Sequence, residues 1–485
     1  MVIFGVSANE HDAGIAVVRD GRILFAAHAE RYSRRKNDPD LNGQLLAEAR
    51  AWGEPDAIVW YERPGLKRAR KLLSGQYQHV LRTDGAAYLR RFGLKAPVKY
   101  VGHHESHAAA GYFTSPFEEA AILVVDAIGE WDTISAWEGR GLSLRKLWSQ
   151  TYPDSLGLLY SAFTDRVGLK PNEEEYILMG MAAYGKPIYR ELIRDDLIAS
   201  FDPPRLTLKE NIHRGIRWWR PELTDRENIA ASIQCLAEEI FVGLARWLAG
   251  ITGQRNLVLS GGAALNCVAN SKIARVGSFD RIWILPNPGD AGSSIGAVAA
   301  YTRQRLVWEH PYLGHEIARP FDLEGALQAI EAGEVIGIAN GRAEFGPRAL
   351  GNRSLVTDPR GPSVKDRVNR IKQRELFRPF APVIMAEYAD RYFDMPVEAS
   401  PYMQFVATVR NPECFPGISH ADNTARVQTV TRQQHPNLYR LLDRFREDTG
   451  CPMLLNTSLN IKGEPLVNTW EDAERFAALW GVKIF

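Results

Sequence analysis

Short apolar runs separated by small polar turns open the chain. Val2-Ile3-Phe4-Gly5-Val6-Ser7, Ile15-Ala16-Val17-Val18 and Ile23-Leu24-Phe25-Ala26-Ala27 each have strand character. The turns between them, Asn9 to Gly14 and Asp20-Gly21, predict a three-stranded meander. The pattern recurs from Ala121 to Trp137, with a polar turn at Ile128 to Asp132. Two copies of strand, polar turn and strand suggest an internal duplication. Helical spacing replaces alternation at His103 to Ala110, Ser155 to Thr164, Ile229 to Leu248 and Ala326 to Ala332. Asn256-Leu257-Val258-Leu259 and Val335 to Ala339 read as buried strands. Residues 201–225 are rich in Pro and Arg with little periodicity, which suits a surface excursion.

A chain of 485 residues exceeds one ordinary core, so two or three lobes are expected. The stretch from Glu309 to Asp322 reads as a linker, which divides the chain into residues 1–312 and 313–485. A net charge of +1 gives no long-range field to recruit nucleic acid or a membrane. The basic run Arg63 to Lys71 reads as a solvated helix face. Cys235, Cys267, Cys414 and Cys451 form no CxxC, which argues against a zinc ribbon or a disulfide framework. Met1 to Gly5 already reads as strand, and no apolar run suggests a membrane span. A cytoplasmic protein is the expectation.

Candidate chemistry begins at His103-His104-Glu105-Ser106-His107. His103 and His107 are four apart and share one helical face, where two imidazoles can grip one metal ion. Asp126 and Asp290 each follow an apolar run, and ligands of α/β folds gather at strand ends. A pair of internally satisfied helix histidines is the alternative. Ser260-Gly261-Gly262 leads from a strand towards Asn266 and a helix, so backbone there can approach a nucleotide or simply pack closely. Lys36, in the basic run Glu30 to Pro39, is either exposed or a clamp on an anionic or carbonyl substrate. In the second lobe, Arg342, Arg348 and Arg353 stand among glycines, and Lys365, Arg370, Lys372, Arg374 and Arg378 follow. So many cations beside glycines and amides suit an oxyanion site for phosphate or an acyl phosphate.

The strands, the duplication and the Gly-Gly turn look like the actin/hexokinase/heat-shock ATPase superfold. Five motifs in order are more specific: His103 to Ala109, Ser260 to Asn266, Phe345-Gly346-Pro347-Arg348-Ala349-Leu350-Gly351-Asn352-Arg353-Ser354, Arg378 to Pro382 and Asn456 to Asn460. Together they resemble the O-carbamoyltransferase family of nodulation-factor, cephem, ansamycin and aminoglycoside carbamoyltransferases. The resemblance runs from Gly5 to about Asp472. It implies an α/β protein with a TsaD-like N-terminal domain of that superfold and an α+β YrdC-like C-terminal domain. It also implies that carbamoyl phosphate and ATP form carbamoyl adenylate in the second lobe, before an acceptor hydroxyl attacks at a metal site in the first.

By the resemblance, His103, His107, Asp126 and Asp290 hold the metal, with Fe2+ or another divalent ion expected and Mg2+ an optional companion of the nucleotide. His11, Asp12 and Lys36 are the catalytic set at the acceptor and carbamoyl site, with His11 the candidate base. Gly261, Gly262 and Asn266 face the nucleotide. Arg348, Arg353, Lys372, Arg378, Arg426 and Asn456 bind carbamoyl phosphate and the adenylate. The acceptor is a hydroxyl-bearing antibiotic, sugar or hydroxymethylated pyrimidine nucleotide. Nucleic acid enters only as acceptor, no membrane is involved, and a homodimer is allowed.

Four departures leave that acceptor open. Ile177 replaces the expected lysine before the Met-Gly turn. His420-Ala421-Asp422-Asn423-Thr424 replaces His-Val-Asp-Gly-Thr. The stretch between Asn37 and Val98 is abbreviated, and the chain stops soon after its last motif. Two rival readings are a tRNA threonylcarbamoyladenosine-type enzyme and a non-enzymatic nucleotide-binding module. The first finds little support in a net charge of +1. The second needs neither a metal set nor an oxyanion set.

Overall fold

The computed structural model describes residues 1–73 and 84–485. Residues 74–83, part of the abbreviated stretch, lie outside the described residues. The opening apolar runs form β1 (Val2–Ser7), β2 (Gly14–Arg19) and β3 (Arg22–His28), an antiparallel meander. Strands β4 (Ala57–Trp60) and β5 (Val98–Tyr100) continue the sheet parallel to β1, giving the order β3-β2-β1-β4-β5.

The second copy has the same topology. Strands β6 (Glu119–Gly129), β7 (Asp132–Arg140) and β8 (Ser143–Thr151) form the meander. The excursion over residues 201–225 begins in a small hairpin of β9 (Ile198–Asp202) and β10 (Arg205–Leu208). Strands β11 (Asn256–Ser260) and β12 (Arg281–Ile284) then run parallel to β6, in the order β12-β11-β6-β7-β8. The duplication read from the hydrophobic pattern is thus a duplication of strand order and direction. The central strands are buried on both faces, which is why β4 and the heart of β6 are unbroken apolar runs.

The helix His103–Thr114 is buried at every residue except Glu105. It packs on the helix Ser293–Thr302 with almost no space between backbones. A methyl group on Gly296 would fall on the Ser106 carbonyl oxygen. The long helix Arg226–Thr252 is capped by Asp225 and closed by Gly253 in the left-handed conformation. By length and composition it could cross a membrane, but 67% of its most apolar window is buried against protein.

Residues Met1–Ser33 and Asn37–Glu309 make one compact unit; Arg34–Lys36 and His310–Phe485 make another. The second unit is α+β. Its strands are β13 (Tyr312–Ile317), β14 (Ile336–Ala339), β15 (Gly341–Glu344), β16 (Arg353–Thr357) and β17 (Ala381–Met385). Then come β18 (Phe393–Asp394), β19 (Val406–Val409), β20 (Thr424–Arg426), β21 (Gln428–Val430), β22 (Met453–Ser458) and β23 (Lys483–Ile484). Six of them form a mixed sheet in the order β21-β17-β22-β16-β14-β23. The helices Leu323–Glu331 and Pro436–Thr449 cover it, burying Ile336, Leu355, Ile384, Leu442 and Leu454 in one apolar cluster.

Candidate active site

His103 and His107 lie one turn apart on their helix, and both rings are buried. Asp126 sits where the β6–β7 ladder breaks, between the paired residues Val125 and Gly129. Asp290 begins the turn that feeds the helix Ser293–Thr302. The close helix crossing at Gly296 therefore brings Asp290 against both imidazoles. His103 Nε2 is 3.1 Å from His107 Nε2, 3.2 Å from Asp126 and 3.4 Å from Asp290. His107 Nε2 is 3.3 Å from Asp290 and 3.9 Å from Asp126. All four donors fall within 4.8 Å of one another.

These spacings fit a divalent cation. Donors about 2.1 Å from a tetrahedral centre stand about 3.4 Å apart, and somewhat closer around an octahedral one. Two imidazoles with two carboxylates suit a first-row divalent metal better than calcium. Electrostatics agree. Burial opposes charge on His103, yet Asp290 and Asp126 outweigh it and raise its pKa well above the usual range. Burial likewise opposes ionisation of Asp126 and Asp290, but the imidazoles hold both carboxyls below theirs. The four side chains form a cluster that could hold a cation.

Surrounding contacts, most of them invisible in the sequence, fix the donors. His107 Nδ1 meets Ser293 Oγ at 3.1 Å, which leaves Nε2 to the centre. Asp126 accepts the Gly262 amide at 3.1 Å. Ser260 Oγ donates to the His107 carbonyl at 2.8 Å. Gly129 lies flat against the His103 ring, where a methyl group would collide. The neighbouring His104 is buried beside Ser135 Oγ at 2.7 Å, and burial drives its pKa far down. It is a neutral core residue rather than a fifth ligand.

His11 and Asp12 occupy the polar turn between β1 and β2. His11 Nδ1 is 3.1 Å from Asp12, and Nε2 is 2.7 Å from the Asn172 carbonyl. Both ring nitrogens face acceptors, so His11 donates at both. Burial disfavours that charge, but Asp12 and Asp290 overcome it and raise the pKa. In this arrangement His11 must lose a proton before it can act as a base. Glu10, in the same turn, is gripped by Lys67 and Lys71 from one face of the helix Pro64–Leu73. Part of the basic run expected to face solvent is thus an internal brace: Lys67 is 1% exposed and also pairs with Glu62.

The third residue of the catalytic set belongs to the other compact unit. Lys36 groups with the second unit, whereas His11 and Asp12 belong to the first. The physical reason is next door. Arg34 donates to the carbonyls of Leu466 and Pro465 at 2.5 and 3.0 Å and lies 3.7 Å from Asp472.

Gly261 and Gly262 follow β11 as expected, and the Gly262 amide is committed to Asp126. Asn266 caps the helix Cys267–Val276, its Oδ1 accepting from Ala269 at 3.0 Å, and exchanges hydrogen bonds with Gln234. Its side chain has a local structural task independent of any nucleotide.

In the second unit the arginine-rich loop is organised by a residue the sequence reading passed over. Glu344, 3% exposed, accepts the amides of Leu350, Asn352 and Arg353 at 2.8, 2.9 and 3.1 Å. Its place just before the loop was the available signal. Arg353 corrects an expectation. It is fully buried, and its guanidinium donates to the carbonyls of Asn340, Gly341, Asn352, His315 and Asn468 at 2.8–3.2 Å. Arg353 ties the loop to its surroundings from a fully buried position, away from any exposed phosphate.

Arg348 and Arg426 are half-buried, and Arg378 is 9% exposed with Glu375 at 3.6 Å. Lys372 is 3% exposed, and among the described residues its ammonium meets only uncharged oxygens. These are the Ser458 carbonyl, Ser458 Oγ at 3.1 Å, and the Asn460 carbonyl and Oδ1 at 2.9 Å each. Burial, then Arg374, Arg378 and Lys36, push its pKa well down. Cations crowded together, with Glu375 beside Arg378, raise the local positive potential and favour an anion. Asn456 donates to Ala349 and Gln428, while its buried Oδ1 has no partner among the described residues.

Two family models match the chain: Carbamoyltransferase N-terminus over residues 66–299 and Carbamoyltransferase C-terminus over residues 327–484. An uncharacterized protein from Synechocystis is 38% identical, across 98% of this chain and 93% of its own. Nodulation protein NolNO from Sinorhizobium fredii is 33% identical, across 96% and 76%. The 3'-hydroxymethylcephem-O-carbamoyltransferase of Amycolatopsis lactamdurans is 28% identical, across 97% and 95%.

Proposed function

The chain belongs to the carbamoyltransferase family, and on that premise we propose that it is an O-carbamoyltransferase that works in two steps. In the first, water cleaves the phosphoryl bond of carbamoyl phosphate in the second unit and phosphate leaves; the carbamate oxygen then attacks the α-phosphorus of ATP, whose bond to pyrophosphate breaks, giving carbamoyl adenylate. In the second, a hydroxyl of the acceptor attacks the carbamoyl carbon in the first unit; the C–O bond to AMP breaks, and the hydroxyl proton leaves with a base.

The observation that carries this reading is the convergence of His103, His107, Asp126 and Asp290 within 4.8 Å. A divalent ion held there, Fe2+ or another of its class, supplies Lewis acidity towards the carbamoyl carbonyl. The repeated sheet topology supports a TsaD-like domain of the actin-like superfold, and the mixed sheet of the second unit a YrdC-like one. His11 and Asp12 flank this centre electrostatically, since both respond to Asp290. His11 is a donor that can orient the acceptor oxygen, and Asp12 accepts the hydrogen bond from its Nδ1–H. In the second unit, Arg348, Arg378 and Arg426 neutralise phosphate charge as it redistributes, while Lys372 holds the Ser458–Asn460 turn beside them. Relatives bearing the names nodulation protein and hydroxymethylcephem carbamoyltransferase point to a hydroxyl-bearing small molecule as acceptor.

Pyrophosphate release from ATP and carbamoyl phosphate tests the first step without knowledge of the acceptor. Labelled carbamoyl phosphate, offered with a panel of sugars, hydroxymethyl antibiotics and hydroxymethyl pyrimidine nucleotides, tests the second. The expected result is pyrophosphate release and label on one acceptor class. Absence of pyrophosphate in the metal-loaded protein would overturn the adenylate route.

A further inference from the structure

The stretch Asn172-Glu173-Glu174-Glu175 has no role in the reading above, yet it reaches His11. We infer that Glu175 is a positioning residue for His11, acting through the backbone of Asn172. The inference rests on the carbamoyl-transfer reading for what His11 handles, and on the geometry around the ring for how His11 is held.

Glu175 opens the helix Glu175–Met181. Its Oε1 accepts the Asn172 amide at 2.6 Å and Ser161 Oγ at 2.6 Å, the latter from the helix Leu156–Arg166. Asn172 has φ +63°, a conformation that costs a non-glycine residue free energy and persists where its surroundings impose it. Held this way, Asn172 turns its carbonyl onto His11 Nε2 at 2.7 Å. One carboxylate, fixed to a second helix through Ser161, thus sets the aim of that carbonyl.

The consequence is chemical. A carbonyl oxygen only accepts, so it keeps a proton on Nε2 in every ionisation state of the ring. Nδ1, 3.1 Å from Asp12, is then the only atom at which His11 gains or loses a proton. Without the brace, the Asn172 turn relaxes and the ring can carry its neutral-state proton on either nitrogen. Positioning through a backbone carbonyl also explains why the residue at 172 needs no particular side chain for this task.

The test is histidine-selective nitrogen-15 NMR on the full chain, with His11 identified by the signal that disappears in H11Q. The wild type should show a protonated, hydrogen-bonded Nε2. E175A should lose that Nε2–H signal to solvent exchange while heat-induced unfolding stays cooperative. E175Q, which keeps an acceptor oxygen, and N172G, which keeps the backbone, should retain it. If E175A does not fold, E175D carries the same comparison, since its shorter side chain withdraws the acceptor. An unchanged His11 signal in a folded E175A or E175D, or a loss as complete in E175Q, would overturn the inference. No substrate is used, so pyrophosphate release in the same samples reports separately on the carbamoyl-transfer reading.

Discussion

His103 and His107 present their Nε2 atoms to each other at 3.1 Å, and both also face Asp290, at 3.4 and 3.3 Å. Two imidazole lone pairs this close repel unless a proton or a cation lies between them. A divalent ion should therefore bind the folded chain and stabilise it. At a hundredfold excess over its dissociation constant the linkage is about 2.7 kcal/mol, a rise in Tm of several degrees. Calorimetry of chelator-stripped protein with added Fe2+, Mn2+ or Zn2+ measures this. H107A and D290N should each abolish most of the rise. An equal rise in the wild type and both variants would place the metal elsewhere.

Arg348 and Arg353 are five residues apart in one motif and should behave oppositely. Arg353→Ala takes a donor from five carbonyls, three of those contacts buried and two part-buried. Each lost hydrogen bond is worth about 1 kcal/mol, and unsatisfied buried groups cost more, so a loss above about 3 kcal/mol is expected. Arg348→Ala should unfold at nearly the wild-type temperature but lower pyrophosphate release by roughly 10²–10³-fold, the usual cost of a missing oxyanion donor. Full pyrophosphate release by a folded R348A would remove activation from the second unit.

That contrast marks what the sequence could reveal. Element types, the duplicated meander and the convergence of His103, His107, Asp126 and Asp290 were legible, because strand alternation, an HxxxH pair and strand-end aspartates are local patterns. The division of labour within the arginine motif was not. Which arginine turns inward depends on where five carbonyls from separate segments converge, and no spacing encodes that. Lys36 illustrates the same limit: its neighbour Arg34 finds partners more than 400 positions away, at Pro465 and Leu466. Glu344 and Ser293 escaped notice for the opposite reason. Each stands beside a conspicuous motif, and its hydrogen bonds rather than its own chemistry give it importance.

The crossing of the helices His103–Thr114 and Ser293–Thr302 makes a steric prediction. Gly296→Ala puts a methyl group on the Ser106 carbonyl, and backbone cannot yield as a side chain can. A loss of about 1–3 kcal/mol is expected, with weaker metal binding because Asp290 retreats from His107. Gly250→Ala is the control. Nothing lies within 4 Å of the methyl position there, so alanine's helix propensity should stabilise by about 0.5–1 kcal/mol. Thermal unfolding of both variants, with metal titration of the first, decides. Gly296→Ala at wild-type stability and affinity would show that the crossing does not set the site.

His435 makes the stability of the second unit depend on pH. It caps the helix Pro436–Thr449, its Nδ1 accepting the Leu438 amide at 3.2 Å, and burial lowers its pKa to about 4. The unfolded chain takes up a proton at this ring near pH 6.5, the folded chain only near pH 4. Between those values the unfolded state holds more protons. The contribution is therefore complete above pH 6.5, declines as pH falls, and is gone below about pH 4. A difference of this size corresponds to about 3 kcal/mol, as an order of magnitude. H435N keeps a capping oxygen and does not titrate, so this component should vanish from its pH dependence. Amide exchange across residues 436–449 at pH 7 and pH 4.5 gives the comparison. The wild type should lose markedly more protection than H435N on acidification. Equal losses would mean that the ring is not held neutral by its burial and its cap.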